Sequence, residues 1–172
     1  MNSFGVDWTY AHSFNWNFNG YLSQGLQTFK QSRYAGYLMA FENTSINAGV
    51  VFTGKLSSNV MIGGSLAYSD DKSVYAQRLE AFASADSAAL LAATGGLPDV
   101  VYSQTALKFF GIYTLDKQST VRVDVVHQQT SVNDWAWRYN NVPFAYSDGT
   151  TVALKQSQSA GFIGITYAYR FK

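Results

Sequence analysis

The chain closes on AGFIGITYAYRFK, residues 160–172. Every second residue back from the end is Phe171, Tyr169, Tyr167, Ile165 and Ile163. The residues between them are Arg170, Ala168, Thr166, Gly164 and Phe162. One face is apolar and aromatic; the other is mostly small or polar. A period of two is the mark of a strand whose two faces meet different surroundings.

The same rhythm recurs upstream. Phe4, Val6, Trp8 and Tyr10 alternate with Ser3, Gly5, Asp7 and Thr9. Residues 15–23 set Trp16, Phe18 and Leu22 against Asn15, Asn17 and Asn19. Residues 45–56 set Ile46, Ala48, Val50, Phe52 and Leu56 against Asn47, Gly49, Thr53 and Lys55. Val60, Ile62, Leu66 and Tyr68 oppose Gly63, Ser65 and Ser69. Leu107, Phe109, Tyr113 and Leu115 turn away from Lys108, and Val121, Val123 and Val125 from Arg122 and Asp124. With the closing stretch, these make seven strands.

Composition narrows what the apolar face meets. Charged residues are 13% of the 172, against ~25% in soluble domains, while aromatics reach 16%. The net charge of +1 supplies no basic face for nucleic acid. No run approaches the ~20 apolar residues of a membrane helix. Few charges, many aromatics and no long apolar run suit a membrane β-barrel, whose polar lumen residues balance its apolar exterior. The opening MNSFGVDWTY has no basic segment followed by an apolar core, so no signal peptide is visible: either the chain is not an outer-membrane protein or its front end is missing. Cysteine is absent, which excludes disulfides, thiolate metal sites and covalent haem attachment through Cys-x-x-Cys-His.

Connections alternate in length. AHSFN (11–15), KLSSN (55–59) and LDKQS (115–119) read as tight polar turns. Between them lie long polar segments near 24–44, 70–100 and 129–156, expected to be external loops. Short periplasmic turns and long outer loops are the wiring of outer-membrane barrels. Residues 76–93 read as a short helix, a lid over the barrel mouth ahead of a partner-docking helix; Trp135 and Trp137 read as outer aromatic girdle ahead of a ligand-stacking role, and Gly149 as a turn position.

The fold expected is all-β: one antiparallel up-and-down transmembrane β-barrel segment over 1–172, with seven or eight strands. An eighth strand could come from 33–44. Seven strands with the last ending in the periplasm leave the first running inward from outside, so the chain reads as the C-terminal part of a larger barrel. Only helices and closed barrels pair every backbone group inside hydrocarbon. A cation on the lipid face near mid-bilayer costs ~2–4 kcal/mol, and Lys108, Arg122 and Asp124 all fall on the other face.

Several stretches resemble one family. LPDVVYSQTALKFFGIYTLDKQSTVRVDVVHQQTSVNDWAW (97–137), VPFAYSDGTTV (142–152) and GFIGITYAYRF (161–171) look like the C-terminal region of the MtrB/PioB outer-membrane barrels, which are associated with decahaem c-type cytochromes. The likeness rests on Leu97-Pro98-Asp99, LKFFGIY, STVRVD, Asp134-Trp135 and the final YRF. It implies a sheath or scaffold for a multihaem c-type cytochrome in the lumen, serving transmembrane extracellular electron transfer. Haem c would be carried by that partner, with no cofactor, metal or catalytic residue of the barrel's own. Asn15, Asn17, Asn19, Lys108, Arg122, Asp124 and Thr166 would face the lumen and the partner. Tyr167, Tyr169 and Phe171 would form the signal read by the barrel-assembly machinery of a Gram-negative outer membrane, whose lipid is the remaining partner.

Two other readings compete: a general porin-like channel and a small structural barrel. A lipid-modifying enzyme needs a nucleophile within reach of a base. Only His12 and His127 exist; one falls in a turn, the other at the membrane interface, and neither Gly-x-Ser-x-Gly nor His-Glu-x-x-His occurs. No enzymatic activity is expected.

Overall fold

The computed structural model describes residues 1–13, 15–33, 37–94, 98–134, 138–139, 142–143, 145–151 and 157–171. Their elements in chain order are β1 (Asn2–Ser13), β2 (Trp16–Arg33), β3 (Tyr37–Lys55), β4 (Val60–Leu79), α1 (Ala85–Thr94), β5 (Val100–Thr114) and β6 (Ser119–Asn133). The short β7 (Arg138–Tyr139) and β8 (Val142–Pro143) pair with each other, and β9 (Gln158–Tyr169) is last. Seven strands form one antiparallel sheet ordered β1-β2-β3-β4-β5-β6-β9. Each hairpin partner is the next long strand in the chain, the up-and-down topology expected from the alternation.

The register confirms that all the alternating sets share faces. One ladder row runs Tyr10, Phe18, Phe52, Gly64, Phe109, Val125, Ile163. The next runs Trp16, Gly54, Ile62, Gly111, Val123, Ile165. Residues directly opposite in a ladder point to the same side, so these rows make a continuous apolar face. Rings on it lie over small residues: Trp8 covers Gly20 and Trp16 covers Gly54, so a Cβ at either glycine would overlap the indole. Aromatic cover of glycine shields backbone that would otherwise lack a side chain to pack against.

Tight turns hold three hairpins. Leu56 N–H donates to Val60 O at 2.9 Å, and Leu115 N–H to Ser119 O at 3.0 Å. In the second, Asp116 Oδ1 accepts from Gln118 N at 2.7 Å and Ser119 N at 2.9 Å. Those donors hold the Asp116 carboxyl below the usual carboxylate range, the Gln118 amide contributing most.

The long segments differ from expectation. Within 24–44 the strands continue: β2 runs to Arg33 and β3 starts at Tyr37, in unbroken register from Leu26↔Thr44 to Arg33↔Tyr37. Hence the described residues of 33–44 are the last residue of β2 and the start of β3, and make no eighth strand. The segment 70–100 begins as strand as far as Leu79, paired with β3, and its helix covers Ala85–Thr94 in place of 76–93. Ser84 caps that helix, its Oγ accepting from Ser87 N at 3.2 Å. The segment 129–156 begins as strand to Asn133 and includes β7 and β8. Cross-strand pairing of β-branched, aromatic and hydroxyl residues extends the ladders past the apolar zone, where period two in hydropathy no longer marks them. Gly149 takes φ +83°, as its turn requires. Trp135 and Trp137 lie outside the described residues.

Candidate functional site

No large side chain among the described residues is fully buried, so the sheet has no core in the ordinary sense. Instead the apolar face is bare: Phe4 is 72% exposed, Ile163 and Ile165 each 75%. A contiguous apolar surface of this extent does not stand in water on a soluble monomer. No helix among the described residues is long and apolar enough to cross a membrane, so any crossing is made by strands.

The register gives the geometry of that crossing. The apolar run starts at Phe4 on β1 and at Ile163 on β9. Ile163 lies on the ladder row of Tyr10, so the start has moved by six residues, Phe4 to Tyr10, across six ladders. One residue of stagger per strand, at ~3.3 Å rise and ~4.8 Å strand spacing, is a tilt of about 35°. An outward run such as Val60–Tyr68 is then about 24 Å tall, matching the ~25 Å apolar band of outer-membrane barrels. Tyr68, Tyr113, Tyr167 and Tyr169 stand at or near its edges. Beyond it the same face turns polar with Glu42, Thr44, Asp70, Lys72 and Gln129.

The face opposite the apolar one carries Asn17, Asn19, Lys108, Arg122, Asp124 and Thr166. Asn17 faces Thr53, and Asn19 faces Thr9 and Val51, with Thr9 Oγ1 donating to Asn19 Oδ1 at 2.9 Å. Asn15 sits in the β1–β2 turn at the rim, its carbonyl accepting from Lys55 N at 2.9 Å. Thr166 faces Arg122, and Lys108 faces Ser65 and Val126. The Arg122 guanidinium clasps Asp124 side-on: Nε donates to Oδ1 at 2.9 Å and Oδ2 at 2.8 Å, and Nη2 to Oδ1 at 2.7 Å. The structure thus separates two groups: the asparagines in the β1–β2 turn and on β2, and the charged set with Thr166 on β5, β6 and β9.

Phe110 is the residue the alternation misses. It points inward, covers Gly63, and carries Arg122 at 4.4 Å from its ring centroid. Tyr21 likewise lies over Gly49 on the inner face. The one available signal is a glycine directly opposite an aromatic, visible only once the register is known. Higher on the same face, Asn43 Nδ2 donates to Asp71 Oδ1 at 2.7 Å and Ser73 Oγ at 3.1 Å.

Tyr167, Tyr169 and Phe171 fall on the outward side. Tyr167 donates to Ser119 Oγ at 3.2 Å and Tyr169 to Gln118 Oε1 at 3.1 Å, tying β9 to the β5–β6 turn. His12 is on β1 and His127 on β6, with four strands between. No group of three or more metal-ligating side chains occurs among the described residues.

A tilted antiparallel wall, apolar outside over one bilayer thickness and polar inside, defines a transmembrane β-barrel protein. The family model described as "Putative outer membrane beta-barrel porin, MtrB/PioB" matches residues 1–171, and the chain belongs to that family. It is an outer-membrane β-barrel protein, and its family is described as porins, a non-enzymatic kind of protein. No curated protein and no solved structure gives a significant match.

Proposed function

We propose that this wall is part of a sheath around a multihaem c-type cytochrome, insulating it from the lipid of a Gram-negative outer membrane during electron transfer to or from the exterior. The observation that carries the reading is a charged, hydrogen-bonding inner face at the depth of an apolar outer one. Asp7, Lys108, Arg122 and Asp124 each lie between outward apolar neighbours on their own strands. Such groups need water or a polar partner beside them at bilayer depth. With no cysteine in the chain, haem c would be attached to the partner, which supplies the redox chemistry. The barrel contributes enclosure, orientation and exclusion of lipid.

In this reading the tight turns face the periplasm, and Tyr167, Tyr169 and Phe171 serve as the assembly signal on the strand nearest the C-terminus. Affinity purification from detergent-solubilised outer membranes, followed by haem staining, tests the partnership. A haem-staining band co-purifying with the chain is expected. The family description favours a second reading, an open channel, for which the purified protein alone would conduct ions steadily across a planar bilayer with no haem protein bound.

A further inference from the structure

We propose that the β5–β6 inner wall is a docking surface for an acidic protein surface, through a cationic patch centred on Lys108. The inference rests on the reading that a protein occupies the lumen. Arg122 and Asp124 neutralise one another at 2.7 Å, while Lys108 has no ion-pair or hydrogen-bond partner among the described residues. The wall there keeps one net positive charge at membrane depth. Beside it the Arg122 guanidinium lies over the Phe110 ring, 4.4 Å from its centroid, and its Nη1 hydrogens have no partner among the described residues. The inner face's other acid at this depth, Asp7, is on β1, at the far edge of the sheet. Thus β5–β6 attracts anions and β1 repels them.

The occupant follows from the shape. The patch lies on the open face of the sheet, where Lys108 is exposed, and one exposed Lys–carboxylate contact contributes little net affinity. A lone anion gains little there, whereas a large surface presenting several carboxylates gains orientation through charge complementarity.

The 172 residues hold no cysteine of their own, so a single introduced thiol reports on this wall once any cysteine elsewhere in the protein is replaced by serine. Ser65→Cys, directly opposite Lys108, is introduced into the full-length protein in lipid vesicles. Its reaction rates with an anionic and a cationic methanethiosulfonate are compared. Lys108→Glu is expected to lower the anionic-to-cationic rate ratio about tenfold at low salt, with Lys108→Gln intermediate. Asp7→Asn and a Thr53→Cys reporter should leave it unchanged. Polyglutamate should slow labelling of Ser65→Cys by a neutral maleimide in a salt-sensitive way, and Lys108→Gln should abolish that protection. An unchanged rate ratio overturns the patch. A shifted ratio without polyglutamate protection overturns the acidic partner. Neither result depends on whether a haem protein co-purifies, which tests the sheath separately.

Discussion

Ile165 and Thr166 are adjacent in sequence, and the bilayer treats them oppositely. Ile165 sits in a row with Val123, and Thr166 opposite Arg122. Ile165→Lys is expected to destabilise the inserted protein by ~2–4 kcal/mol, and Thr166→Lys by less than ~1 kcal/mol, in urea unfolding from vesicles. Gly63 is constrained from the inner side, where Phe110 lies on it. Gly63→Val displaces the ring that carries Arg122 and should cost ~1–3 kcal/mol, read as a lowered unfolding midpoint. The orientation of Lys108, Arg122, Asp124 and Thr166 was legible in the alternation, because in a strand parity alone decides the face. Phe110 and Tyr21 were not, because a ring's position over a glycine depends on which residues the ladder places opposite.

At the scale of elements, the tight turns and the strand cores beside them could be read from turn residues and alternation. The upper strands could not. Above the apolar band both faces of a hairpin meet water, so hydropathy loses its period while backbone pairing continues. Val50 and Glu42 make the contrast on one face of β3: both are exposed, the first to lipid, the second to water. A membrane-impermeant maleimide should label Glu42→Cys readily and Val50→Cys very slowly in vesicles open to the reagent on both sides. The β5–β6 turn adds a pH dependence. Asp116 has its carboxyl below the ordinary 3.8 when folded, so its contribution is present above the unfolded value and lost as pH falls through the lower, folded one. Exchange of the Gln118 and Ser119 amides should therefore accelerate relative to neighbouring turns below about pH 4, and Asp116→Asn should remove that acid dependence.

For the whole molecule, the seven-strand order leaves β1 and β9 as edges running in the same direction. Unpaired backbone groups in hydrocarbon cost several kcal/mol each, so both edges need ladder partners when the barrel is closed. The tilt of about 35° drawn from the register is the stagger that closure demands, and it arises from where the apolar residues sit on each strand. The most direct test of a wall between lipid and a polar interior is a cysteine scan of residues 162–169 in vesicles, read by maleimide labelling. The account predicts fast reaction at 162, 164, 166 and 168 and slow reaction at 163, 165, 167 and 169. Equal labelling at all eight positions, or the opposite alternation, would contradict it.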